Sequence, residues 1–243
     1  MIVIPMAGLS SRFFKAGYTL PKYMLQARGK SLFAHSVNSF HLLFQHEYFL
    51  FIIRDIHNTA NFVRNECFRL GVTNYDIITL KEPTKGQAET VYLALENKPE
   101  KHNCPVTIFN IDSIRYDFEP PEFADTVDGY LEVFKGSGDN WSFAEEDPQN
   151  PGLVIRTAEK QPISDLCSDG LYYFRSAEVF CHYFKLMKQQ GERGTCKGEY
   201  YIAPMYNYMV RDQLTVRYRL IDAGQIDFSG TPDEYKSFSD KGQ

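Results

Sequence analysis

Between residues 2 and 111, short apolar runs alternate with segments of helical periodicity, and this alternation constrains the fold more than any other feature. Residues 2–5 form an apolar run that leads into a Gly/Ser turn. Ser31 is placed to cap a helix over residues 32–44, where Phe33, Val37, Phe40 and Phe44 recur at three- and four-residue intervals. Residues 48–53 read as a buried strand, and 58–70 as a helix closed by Gly71. Residues 75–80, 87–96 and 106–111 then read as strand, helix and strand. Parallel strands need a crossover, usually helical, so the βαβαβ succession predicts an α/β fold: a Rossmann-like, doubly wound, mostly parallel sheet. Ligands of such sheets bind outside the carboxyl ends of the strands.

After Pro120-Pro121 the texture changes. Strands are expected at 129–135, 141–144, 153–157, 171–174 and 215–221, with helices over 177–190 and 200–211. The expected organisation is a single domain over residues 1–243, with a nucleotide-binding half to about 120. An acceptor-binding half follows over 121–243, inserted around the C-terminal part of the fold.

Composition excludes several classes. With 43% hydrophobic residues in a chain of 243, a substantial core is within reach and disorder is not expected. The apolar run over 48–53 has six residues, against the roughly 20 that a spanning helix needs. Met1 to Leu9 is apolar but has no basic leader or cleavage site, so it reads as a first strand, not a signal peptide. Five cysteines, odd in number and without a CxxC pair, predict reduced thiols in the cytoplasm, not a zinc site. His41 and His46 lack metal-ligand spacing and read as packing residues. A net charge of −5 argues against nucleic-acid binding. The charges are unevenly placed, however. Residues 1–46 contain no Asp or Glu, yet include Arg12, Lys15, Lys22, Arg28 and Lys30. A pocket for a polyanion would exclude carboxylates in this way; chance is the plainer alternative.

The motifs fit such a pocket. Met6-Ala7-Gly8-Leu9-Ser10-Ser11-Arg12-Phe13 follows the first strand. Small residues let backbone N–H groups approach phosphate oxygens, and Arg12 offers a fork of donors. The run matches neither the dinucleotide fingerprint nor the GKS/T loop. Leu20-Pro21-Lys22 adds a stiff backbone and a compact positive charge. Asp112 in Phe109-Asn110-Ile111-Asp112-Ser113 stands at a strand end, either as a metal-ligating carboxylate or as a turn former. Trp141 either packs the core or lines a site.

Taken together, the strand, G-x-x-x-R, a spacer and P-K resemble the signature of the sugar-phosphate nucleotidyltransferase family. Further stretches extend the likeness in order: Thr84-Lys85-Gly86-Gln87-Ala88, the Asp112 motif, Glu159-Lys160 followed by Gly170-Leu171-Tyr172-Tyr173-Phe174, Glu199-Tyr200-Tyr201, and Gly230-Thr231-Pro232-Asp233-Glu234. The resemblance implies a nucleotide-diphospho-sugar transferase fold and assigns roles. Met6, Ala7, Gly8, Ser10, Ser11 and Gln87 would contact the nucleotide. Arg12 would hold the triphosphate, Lys22 would bridge the α-phosphate and the incoming phosphate, and Asp112 would hold Mg²⁺. Lys160 would meet the acceptor phosphate. Glu199 would either bind acceptor hydroxyls or cap the helix after it. Relatives often carry D-x-G-T-P with the Asp as a second metal ligand. Here Asp227 stands three residues before Gly230 and Phe228 takes the usual place, so Asp227 reaches a metal only through a β-bulge, which is the expectation.

The implied activity is Mg²⁺-dependent transfer of a nucleotidyl group from a nucleoside triphosphate to a small phosphorylated metabolite, with release of pyrophosphate. CTP is the favoured triphosphate, because the chain ends soon after Gly230-Thr231-Pro232 and its compactness resembles cytidylyltransferases, including those of capsule and surface-polysaccharide pathways. UTP or dTTP with a hexose 1-phosphate is the alternative. A non-catalytic nucleotide-binding regulatory module is the rival of a different class, and a glycosyltransferase would not need to clamp a triphosphate. The expected partners are the two substrates and a second copy in a homodimer, with no nucleic acid and no membrane.

Overall fold

A computed structural model describes residues 1–241, which form two compact units interleaved in sequence. One comprises Ile2–Pro83, Phe109–Glu119 and the segment from Gly224; the other comprises Met1, Thr84–Ile108 and Pro120–Ala223. The division differs from two consecutive halves meeting near residue 120. Thr84–Ile108 belongs with the later residues, and the C-terminal segment belongs with the earlier ones.

In the first unit Ile2–Met6, Phe49–Ile53 and Tyr75–Thr79 form a parallel sheet with Phe49–Ile53 in the middle. Every residue of Phe49–Ile53 is buried, as its unbroken apolar run predicts for a strand covered on both faces. The crossover helix Thr59–Leu70 ends at Gly71, whose φ of 77° is a left-handed value that glycine adopts without strain. Ser31 caps Leu32–Val37, accepting from the Ala34 N–H at 3.0 Å. The helix expected over 32–44 is α-helical only to Val37. Asn38–Leu43 tightens to a 3₁₀ helix, and Phe40 leaves helical geometry (φ −106°, ψ 24°). Packing explains the break: the fully buried Phe40 ring meets Phe109 at 5.1 Å and Phe118 at 4.9 Å.

Two strands and a helix of this unit were not expected. Ser113–Arg115 pairs antiparallel with Ile226–Phe228. Pro232–Asp240 is a helix opened by a capping box, in which Thr231 Oγ1 accepts from the Glu234 N–H and Glu234 accepts from the Thr231 N–H. Phe238 of that helix packs against Ala27, Leu32 and Ile114.

In the second unit Leu166–Phe174 pairs antiparallel with Gly129–Lys135 and with Ser142–Glu146. Val154–Glu159 extends one side, antiparallel to Ser142–Glu146, and Val216–Ile221 runs parallel to Gly129–Lys135. Helices Gln87–Glu96 and Ala177–Gln189 pack together through stacked Tyr92 and Phe184 rings, 4.6 Å between centroids. The helix expected over 200–211 begins later. Tyr200 is not helical, Ala203–Met205 is a 3₁₀ turn, and only Tyr206–Arg211 is α-helical. Pro204 lacks an N–H and suits a first turn, so the helix cannot be entered far upstream of it. Among the described residues no helix is long and apolar enough to cross a membrane.

Candidate active site

In the first unit the loop after Ile2–Met6 turns through Ser10, which holds a left-handed φ of 50°. This places Ser10 Oγ as acceptor for the Lys22 backbone N–H at 3.2 Å, joining the Gly/Ser loop to the Pro-Lys pair. Met6 and Ala7 are buried, while Gly8, Ser11 and Arg12 are exposed. Nothing stands within 4 Å of where a Gly8 Cβ would project, so the loop faces open space. The helix that follows, Ser11–Lys15, has no acidic residue in its first turn.

Lys22 opens a 3₁₀ turn with the buried Tyr23 and Met24. Tyr23 anchors the turn through a 3.0 Å hydrogen bond to Thr59 and a ring contact with Phe62. From this anchored backbone Lys22 Nζ donates to Asp112 Oδ2 at 2.5 Å. The Lys22 and Asp112 side chains keep 20% and 28% of their exposure, so water and a ligand can reach the pair. Asp112 lies between Val106–Phe109 and Ser113–Arg115, and its carbonyl accepts from the Ser229 N–H at 2.8 Å. Burial pushes its carboxyl up. The Lys22 charge and hydrogen bond, its own backbone N–H and the Arg12 charge outweigh burial and hold it below its ordinary value of 3.8.

A Cβ at Gly230 would lie 2.7 Å from Asp112 Oδ2, so a side chain there would occupy the space in front of the carboxylate. Among the described residues no three His, Cys, Asp or Glu side chains converge to hold a metal. The ionised, partly exposed Asp112 carboxylate still fits Mg²⁺, which takes oxygen ligands and completes its shell with water and substrate phosphates.

In the second unit Gly86 has a φ of 108°, and a Cβ there would meet the Tyr200 backbone O at 2.6 Å and N at 2.8 Å. Glycine permits two hydrogen bonds, Tyr200 N–H to Lys85 O at 2.6 Å and Ala88 N–H to Tyr200 O at 3.1 Å. Gln87, the first residue of its helix, is thereby fixed beside the Glu199-Tyr200-Tyr201 segment. Lys160, at a left-handed φ of 54°, donates from its backbone to Trp141 O at 2.8 Å and from Nζ to the Tyr201 hydroxyl. Tyr201 donates to Glu199 Oε2 at 2.5 Å. Glu159, 5% exposed, accepts from the Ser142 hydroxyl and lies 3.9 Å from Lys160 Nζ. Burial pushes the Glu159 carboxyl up against the Ser142 hydrogen bond and the Lys160 charge, with Glu199 adding to the rise.

No family sequence model matches the chain, and no curated protein sequence does. The crystal structure of the nucleoside-diphosphate-sugar pyrophosphorylase from Vibrio cholerae RC9 is similar throughout, with 48% identity, a TM-score of 0.94, and coverage of 99% of this chain and 100% of that one. The chain belongs to the sugar-phosphate nucleotidyltransferase family. Two more distant structures share the fold. The inositol-1-phosphate CTP transferase from T. maritima has 14% identity, covers 96% of this chain and 90% of its own, and gives a TM-score of 0.71. A UDP-glucose pyrophosphorylase complexed with UDP-glucose has 14% identity, covers 99% and 97%, and gives 0.73.

Within this nucleotidyltransferase, Ser10, Lys22 and Asp112 are joined by direct contacts, as are Lys160 and Glu199 through Tyr201. One expectation is corrected and one alternative falls away. Asp227 pairs with Ile114 in an unbroken register between Ile226–Arg115 and Phe228–Ser113, so the bulge expected to turn it toward the metal is absent. Its carboxylate is instead engaged by the Tyr116 hydroxyl at 2.6 Å and by Lys241 Nζ at 2.5 Å. Glu199 does not cap a helix, since none begins there. Trp141 is half-buried, with its ring edge-on to Phe134 and its indole N–H on Ser137 O at 3.2 Å, which favours packing. Tyr201, Ser142 and Gly230 were missed as partners of the named residues. Their separations in sequence, 41 residues between Lys160 and Tyr201, leave no local signal.

Proposed function

We propose that this nucleotidyltransferase transfers a nucleotidyl group from a pyrimidine triphosphate, CTP first, to a phosphorylated sugar or similar hydroxylated metabolite in a Mg²⁺-dependent reaction that releases pyrophosphate. The Lys22–Asp112 ion pair of 2.5 Å at a strand end, tied to the Gly/Ser loop through Ser10, carries the reading. An acceptor phosphate oxygen attacks the α-phosphorus in line, forming a P–O bond as the bond to the β-phosphate oxygen breaks. Little proton transfer is needed, so positioning and charge neutralisation do most of the catalysis. Lys22, held by its anchored turn, offers an ammonium group to the phosphates at the reacting centre, and Arg12 offers a guanidinium to the triphosphate. Asp112 would hold Mg²⁺, which would neutralise phosphate charge when bound. Asp227 has no metal role in this account.

Gln87 and the backbone of Thr84–Ala88 would read the base, and Met6, Ala7, Gly8 and Ser11 would complete the nucleotide contacts. Lys160 would meet the acceptor phosphate and Glu199 its hydroxyls. The name of the Vibrio cholerae relative supports a nucleoside-diphosphate-sugar product. UTP or dTTP with a hexose 1-phosphate is the alternative pairing, and a capsule or surface-polysaccharide pathway is the proposed setting. Pyrophosphate release, measured with each of four triphosphates against a panel of phosphorylated metabolites, tests the reading. CTP with a hydroxylated phosphate should be the most active pair. Preference for a purine triphosphate would overturn the base assignment.

A further inference from the structure

Tyr201 links the two candidate acceptor-binding side chains. Its hydroxyl accepts from Lys160 Nζ and donates to Glu199 Oε2 at 2.5 Å, and Lys160 Nζ lies 4.2 Å from the ring centroid. One phenol can make both bonds, because it carries a single donor hydrogen and two acceptor lone pairs. Burial first, and then the hydrogen bond to Glu199, raise the Tyr201 pKa, so the phenol stays protonated and remains a donor to the carboxylate. The other acid near Lys160 is Glu159, 3.9 Å away and already accepting from Ser142.

Without the phenol, a four-carbon lysine stem and an exposed glutamate would either pair directly or sample many rotamers. With it, ammonium and carboxylate stand apart by two hydrogen bonds through one oxygen, roughly 5 Å. A bare phosphate would meet the ammonium but be repelled by the carboxylate. A phosphate with a neighbouring hydroxyl satisfies both, the hydroxyl donating to Glu199 while the phosphate accepts from Lys160.

We propose that Tyr201 is a positioning residue that fixes Lys160 and Glu199 as one acceptor-reading pair and selects phosphorylated acceptors bearing a hydrogen-bond donor close to the phosphate. The proposal rests on the acceptor roles given to Lys160 and Glu199 above.

Steady-state kinetics of Tyr201→Phe test it, with the best hydroxylated acceptor, its analogue lacking the neighbouring hydroxyl, and Lys160→Ala run in parallel. Tyr201→Phe keeps the ring and loses only the hydroxyl. It should raise the acceptor KM about tenfold, the scale of lost hydrogen bonds to charged groups, and leave kcat within about twofold. The triphosphate KM should not move, and the preference for the hydroxylated acceptor over its analogue should narrow. If Lys160→Ala raises the acceptor KM but Tyr201→Phe does not, the inference fails while the acceptor site stands. If neither variant changes it, the acceptor site itself is misplaced. A Tyr201→Phe variant that loses kcat alone, or shifts both KM values together, also overturns the positioning role.

Discussion

Replacing Lys22 by alanine separates its catalytic from its structural contribution. The side chain forms a 2.5 Å ion pair with Asp112, between groups 20% and 28% exposed. A hydrogen bond to a charged group contributes about 1.5–3 kcal/mol when buried, and water reaching the freed carboxylate offsets part of that, leaving about 1–2 kcal/mol. For a chain of this size each kcal/mol moves Tm by about 2–4 °C, so the variant should melt about 2–8 °C lower at neutral pH. Turnover should fall much further, on the order of 10²- to 10³-fold, because a fixed charge at the reacting phosphates acts mainly in the transition state. Asp112 sits below its ordinary 3.8 in the folded protein, so the pair's stabilisation is present above that value. It is lost as pH falls through the folded pKa, and the Tm gap between parent and variant should close below about pH 4. Calorimetry across pH and pyrophosphate release measure the two effects. A variant that keeps activity within about tenfold while losing the Tm increment would refute the catalytic role. Equal collapse of both would mean that Lys22 is chiefly structural.

Asp112→Asn should abolish Mg²⁺-dependent turnover with a smaller loss of stability, and EDTA should silence the parent enzyme; full activity in metal-free buffer would remove Asp112 from the metal site. Asp227→Asn should leave the Mg²⁺ titration of the rate superimposed on the parent's and cost no more than about 1 kcal/mol, since its Lys241 partner is 57% exposed. A rightward shift of that titration would restore Asp227 as a ligand. Gly86→Ala should cost about 3 kcal/mol, lowering Tm by about 6–12 °C, because its Cβ would press on Tyr200 backbone atoms at 2.6 and 2.8 Å. An unchanged Tm would mean that the loop can move away from Tyr200.

The parallel strands and their crossover helices were legible because both carry a periodicity: Phe49–Ile53 is an unbroken apolar run, and Gly71 marks a helix end. Gln87–Glu96 lies where the pattern put it. The failures have physical causes. Helical spacing continued from Val37 to Phe44, but burying Phe40 among other phenylalanines overrode it. Pro204 delayed a helix whose apolar pattern began at Tyr200. The C-terminal helix did have a signal, the Thr231-Pro232-Asp233-Glu234 capping box, hidden because the same residues read as part of a family motif. At the site, residue types and order marked Lys22 and Asp112, but not that Gly230 keeps the space before Asp112 clear. The position of Asp227 was a question of register, which pairing with Ser113–Arg115 decides and which no run of neighbouring residues records.

The most direct test of the account follows the phosphorus. The enzyme, Mg²⁺, the best acceptor phosphate and CTP labelled at either the α- or the γ-phosphate are incubated, and the products are separated. Nucleotidyl transfer at Lys22 predicts that the α-label appears in a nucleotide-linked acceptor and the γ-label wholly in pyrophosphate, in equal amounts and only when acceptor is present. Transfer of γ-label to the acceptor, or release of γ-label as inorganic phosphate without acceptor, would contradict it.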